Sequence, residues 1–165
     1  MKTPLLAGTM LLLASRLAAQ QAPPVQTAPR HVSAAEIRDT TADAPRLPMA
    51  FSAKPLGSRG TYTYLAIRRD QTGEVEVHAG LDDLMMIESG SATLLVGGTV
   101  SGGRQTAPGE QRGGSIDGGA TQPLAPGDVM VIPAGVPHQV VVPPGGSVTY
   151  VVVKIPPSAA PTPPR

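Results

Sequence analysis

The chain has 165 residues and a formal charge of +1, from 13 basic and 12 acidic side chains, with 41% apolar and only 2% aromatic residues. It holds no block of Lys or Arg and no run of aromatics, which speaks against nucleic acid as a partner, because phosphate binding needs clustered cations and base binding gains from stacking rings. The absence of Cys removes disulfides, thiolate zinc sites, iron–sulfur clusters and thiol nucleophiles, and 19 Gly with 19 Pro predict short strands and many turns rather than long helices.

In chain order, Lys2, the apolar Leu5, Leu6 and Met10 to Leu13, and the small residues of Leu17-Ala18-Ala19 have the three-part pattern of an export signal over residues 1–19. The apolar run is too short to span a membrane; its other reading is a buried helix of the domain. Cleavage would place the mature protein in the periplasm or outside the cell, free of the membrane, and removal of Lys2 and Arg16 would take the formal charge from +1 to −1. Residues 20–56 read as a Pro- and Gln-rich linker with one short helix, which starts after Ser33 on a Ser-x-x-Glu capping box and fades before Pro45. That helix is expected to cover a mouth or edge of the domain. Residues 57–156 form the domain proper, and 157–165 a Pro-rich tail.

From Gly60 the hydrophobic period becomes two. Strands are expected over 61–69, 74–78, 83–87, 92–96, 121–124, 129–132, 138–142 and 147–155, with turns at Asp70 to Gly73, Glu88 to Ser91 and Pro143 to Gly146. Residues 101–120 are Gly-rich with few apolar anchors and read as a long loop or insertion that closes over the domain. Short strands with turns at this spacing predict an all-β sandwich or barrel.

Alternation puts Glu74, Glu76 and His78 on one strand face and Val75 and Val77 on the other. The polar face either looks at water or lines an interior. His138 shares a face with Val140 and Val142, so it stands among apolar neighbours, where an imidazole needs a hydrogen-bond partner or a ligand. The third histidine, His31, falls in the linker and reads as incidental. Met85 and Ile87 follow Asp83 on an inward face, either lining a cavity or as ordinary core. Leu84 and Met86 point outward, toward a second layer or a partner subunit, which suggests a homodimer. The only Lys outside the leader are Lys54 and Lys154, which makes Schiff-base chemistry improbable.

The stretch from Gly127 to His138 resembles the second motif of the cupin superfamily: Gly, five residues, Pro-x-Gly, two residues, His, three residues, Asn. Gly127, Pro133, Gly135 and His138 match, and Val142 stands at the Asn position. Glu76-Val77-His78, followed by Asp83 and Gly90, resembles a degenerate first motif, with Glu76 for its first His, His78 for its second, Asp83 for its Glu, and Asp70 where a Gly is expected. The two halves, with the strands around them, cover about 80 residues. The likeness extends to small exported bacterial single-domain cupins with a Glu-x-His first motif and a Gly-rich insertion.

The resemblance implies a small jelly-roll (double-stranded β-helix) barrel with a short N-terminal helix. It also implies one divalent metal held by Glu76, His78, Asp83 and His138, of which Glu76 is the weakest member. Imidazole and carboxylate donors suit iron, manganese, zinc or nickel. Without a metal, buried carboxylates take up a proton instead. Gly135 and Pro133 are expected to shape the turn that delivers His138, and Asp128 to belong to the turn before it. Three functions stay open: a metal-dependent enzyme on a small organic substrate, a non-catalytic binder of a small molecule or metal, and a metal-free structural cupin. No residue is assigned a catalytic role.

Overall fold

A computed structural model of the chain describes Val25 and residues 27–42, 46–47 and 51–157. The expected leader, residues 1–19, and most of the Pro-rich tail lie outside the described residues. The helix α1 (Ala34–Ala42) begins where the capping box places it, with Glu36 N–H donating to Ser33 Oγ at 3.1 Å. Fourteen strands follow among the described residues: β1 (Arg46–Leu47), β2 (Phe51–Arg59), β3 (Tyr62–Arg69), β4 (Glu76–His78), β5 (Asp82–Gly90), β6 (Ala92–Val96), β7 (Thr99–Ser101), β8 (Arg104–Ala107), β9 (Glu110–Arg112), β10 (Ser115–Asp117), β11 (Ala120–Leu124), β12 (Val129–Ile132), β13 (His138–Val141) and β14 (Val148–Ile155). The first sheet therefore starts at Arg46, within the stretch read as linker.

The strands build two six-stranded antiparallel sheets. One has the order β1-β2-β3-β14-β5-β12 and the other β11-β6-β13-β4-β9-β8. From β3 to β6, and again from β11 to β14, each successive strand changes sheet, which is the winding of a jelly roll. Between the sheets lies one apolar core. Ile67, Met85, Ile132 and Val152 enter it from the first sheet, and Leu94, Leu124 and Val140 from the second. Burying these side chains is the main source of stability in a barrel without Cys, at about 25 cal/mol per Å² of apolar surface.

Two expectations are corrected. The helix covers neither a mouth nor an edge. It lies on the outer face of the first sheet, where Ile37 packs on Leu56 and Ala66 with Val151 and Tyr64 alongside. Residues 101–120 are not one open loop. β7 pairs with β10, and the β8–β9 hairpin extends the second sheet by pairing β9 with β4. These strands were illegible because their sequences (TVS, RQTA, EQR and SID) carry almost no apolar alternation. The edge of β4 templates β9 and, through it, β8, while β7 and β10 hold each other extended. Gly103 and Gly114 sit where the small ladder crosses to the sheet, at φ of +89° and +79°. A Cβ on Gly114 would lie 2.4 Å from the Ser101 carbonyl oxygen, so only Gly fits this crossing.

Candidate metal centre

Register brings the polar residues together. On the second sheet Glu76 stands opposite His138 on one side and opposite Arg112 on the other, and His78 stands opposite Glu110. Residues directly opposite share a face, so His138, Glu76 and Arg112 form one row with His78 and Glu110 beside it. On the first sheet Asp83 stands opposite Lys154. The turn that delivers His138 is tethered from both ends: Gly135 N–H donates to the His78 carbonyl at 2.7 Å, and Ala134 N–H to Asp82 Oδ1 at 2.7 Å. Gly135 has φ of +80°, the left-handed conformation that favours Gly. Asp128 belongs to its turn as expected, its Oδ2 accepting from Ala125 N–H at 2.8 Å.

Both imidazoles present the same nitrogen inward. His78 Nδ1 faces Glu110 Oε2 at 2.6 Å, which fixes its proton there and leaves Nε2 as the acceptor. His138 Nδ1 donates to the Val136 carbonyl at 3.1 Å, again leaving Nε2 free to accept. The rings lie 5.4 Å apart, centroid to centroid. One donor atom each from Glu76, His78 and His138 lies within 4.8 Å of the others, a set that can hold a metal ion. The carboxylate–histidine pair of Glu110 and His78 is the outer support metal-ligating imidazoles use.

Asp83 is buried beside this triplet, its Oδ2 3.6 Å from His78 Nε2 and 3.7 Å from His138 Nε2. Both its oxygens accept from Lys154 Nζ, at 2.8 and 2.7 Å, and the same ammonium lies 2.7 Å from His78 Nε2. Glu76 is paired with Arg69 and Arg112. Arg69 is itself fixed by its Nε–H donating to Tyr150 Oη at 3.0 Å and by lying 4.6 Å over the Phe51 ring.

Burial alone would push the Glu76 carboxyl up. The charges of the adjacent Arg69 and Arg112 outweigh it and hold the group well below the usual carboxylate range. Burial pushes His138 below the ordinary histidine value, so it rests neutral at pH 7, the form that ligates metal. Burial raises the Tyr150 phenol, which stays protonated while it accepts from Arg69. Beside the cluster, Phe51, Leu65, Met85, Val140 and Val152 wall a cavity of about 190 Å³, whose polar end carries Glu76, Asp83, His138 and Lys154.

The sequence model of the AraC-like ligand binding domain family matches residues 113–162, the span that contains Gly127 to His138. BH2720 from Bacillus halodurans superposes with a TM-score of 0.54 at 17% identity, over 84% of this chain and 89% of its own. KdgF from Halomonas sp. does so with a TM-score of 0.51 at 14% identity, over 70% and 89%. A cupin 2 conserved barrel domain protein from Rhodopseudomonas palustris reaches 0.46 at 21% identity, over 70% and 67%. The fold is a jelly-roll barrel. No curated protein matches the sequence, and at these identities the structural likeness is one of fold.

Of the four residues read from the two cupin motifs, Glu76, His78 and His138 form the donor triplet. Asp83 adjoins it in the grip of Lys154. Glu74 shares the alternation but leaves the barrel interior, its carboxylate paired with Arg104 at 2.8 and 3.0 Å. Met85 and Ile87 face inward, and Met86 is exposed, as their parity implied. Four further residues of the site were missed: Arg69, Glu110, Arg112 and Lys154. Glu110 and Arg112 lie on β9, the strand read as loop. Lys154 did leave a signal, since it is the one charged residue of the apolar β14 and shares the inward parity of Tyr150 and Val152.

Proposed function

We propose that this protein is an exported, homodimeric cupin that binds a small organic ligand at one divalent metal ion, iron, manganese, zinc or nickel, held by His78, His138 and Glu76, with Asp83 as a further donor when Lys154 releases it. The observation that carries the reading is the pair of imidazole Nε2 atoms turned to the same point by separate hydrogen bonds at Nδ1. The fit is good in donor chemistry: two imidazoles and a carboxylate suit those metals, and no soft sulfur donor completes the triplet to favour copper(I). The ion would supply a Lewis-acid centre at the polar end of the cavity.

The protein's own residues would do the rest. Glu110 holds the His78 tautomer, and the apolar wall of Phe51, Leu65 and Val152 receives the ligand's carbon skeleton and excludes water. Carboxylates Glu76, Asp83 and Glu110 are already matched by Arg69, Arg112 and Lys154, so a divalent ion adds uncompensated charge. An anionic group on the ligand, such as a carboxylate, answers that excess. The match to a ligand binding domain family supports small-molecule capture. The pattern of residues 1–19 supports export, and the outward apolar face of β5 and β12 supports self-association.

Elemental analysis of the chain purified without chelator, beside His78→Ala and His138→Ala, tests the core of this reading. About one metal per chain, lost in both variants, is expected. Equal metal content in all three proteins, or none in the unsubstituted chain after reconstitution with each of the four metals, overturns it.

A further inference from the structure

We infer that the Lys154 ammonium is a built-in cation of this site, one that holds the donor atoms of the metal ion in its absence and must leave before the ion can draw on all of them. This rests on the metal reading above. Lys154 Nζ contacts His78 Nε2 at 2.7 Å and both oxygens of Asp83 at 2.7 and 2.8 Å, and these are lone pairs that a divalent ion would require. A buried carboxylate and a buried imidazole acceptor would otherwise stand without a donor, at a cost of several kcal/mol for the carboxylate.

Three cations reach the cluster, and the geometry separates the one that can give way. Arg69 is pinned by Tyr150, by the Phe51 ring and by Glu76, with its side chain 3% exposed. Arg112 is held by strand register against Glu76 and lies 3.6 Å from Glu110 Oε2. Lys154 bonds only to Asp83 and His78 among the described residues, and its side chain is the most exposed of the three, at 17%. Its four-carbon stem turns freely about single bonds, which the planar, stacked guanidinium of Arg69 cannot match. Lys154 also lines the cavity, so a released ammonium stays within reach of a ligand's anionic group. Metal affinity is then set by competition with Lys154 as much as by the histidines.

The test is equilibrium binding of Zn²⁺ and Co²⁺ to the chelator-stripped full chain and to Lys154→Met, read by calorimetry and by the visible spectrum of bound Co²⁺. Thermal unfolding is recorded with and without metal. Lys154→Met should bind about tenfold tighter or more. Stripped, it should melt lower than the unsubstituted protein, and Zn²⁺ should raise its melting temperature by more. If Lys154→Met fails to fold without metal, Lys154→Gln keeps a donor for Asp83 without the charge and takes its place.

The outcomes separate this inference from the metal reading. Binding by both proteins, tighter in the variant, supports both. Binding by the variant alone supports Lys154 as the resident cation and overturns the metal reading for the natural chain. Equal binding by both overturns the role of Lys154 and leaves the metal reading standing. No binding by either overturns both.

Discussion

At the scale of the residue, the site is governed by two groups whose titration burial and charge have displaced. His138 is neutral in the folded protein at pH values where the unfolded chain takes up a proton, below the ordinary histidine value of 6.5. Glu76 keeps its charge well below the ordinary 4.5, where the unfolded chain takes up another. In both cases the unfolded state binds more protons, so stability falls as pH falls. The stripped protein should therefore hold its melting temperature above neutrality, lose it as pH drops through 6.5, and lose it faster below 4.5. Calorimetry across that range checks this, and a profile unchanged down to pH 4 would contradict it. Both residues were legible because a two-residue alternation and a motif spacing mark them locally. Arg69, Glu110 and Arg112 were not, because nothing in their own neighbourhoods of sequence encodes which strand they face. Their role comes from cross-strand register, a long-range property.

At the scale of the element, the four short strands β7 to β10 are a brace rather than a lid. They place Glu110 behind His78 and Arg112 beside Glu76 through the β4–β9 pairing. Gly114→Ala should break this brace, because its Cβ meets the Ser101 carbonyl at 2.4 Å and its backbone is left-handed. Gly118→Ala shares the left-handed backbone, at φ of +75°, yet meets no atom within 4 Å. Gly118→Ala should cost about 1 kcal/mol. Gly114→Ala should cost more, roughly 2–4 kcal/mol, and should weaken metal binding as well. Urea unfolding beside metal titration tests the contrast; equal effects of the two would mean the crossing tolerates a side chain. Strands with regular apolar patterning, such as Ala92–Val96 and Val129–Ile132, could be read to the residue. The brace could not, since its strands take their extended state from their pairing partners rather than from apolar alternation.

At the scale of the molecule, the two sides of the first sheet have different fates. Its inner face joins the core, and α1 shields part of its outer face over Leu56 and Ala66. The remainder, on β5 and the edge strand β12, exposes Met86, Val129 and Val131, the last two at 61% and 59%. An apolar patch that no described residue covers, on an edge strand, invites a second copy. A Val129→Lys, Val131→Lys double variant should shift the protein from dimer to monomer in sedimentation, with metal content unchanged; a monomeric unsubstituted protein would refute this. The outward parity of Leu84 and Met86 announced this face in advance, whereas the helix's position did not follow from its sequence, because a nine-residue helix can dock wherever an apolar patch receives Ile37. The matched charges of the interior have a further consequence for assembly. A barrel that carries its own counter-charges can complete its folding in the presence of a chelator, and under the metal reading proposed above, occupancy would then record supply in the surroundings rather than how the chain was made.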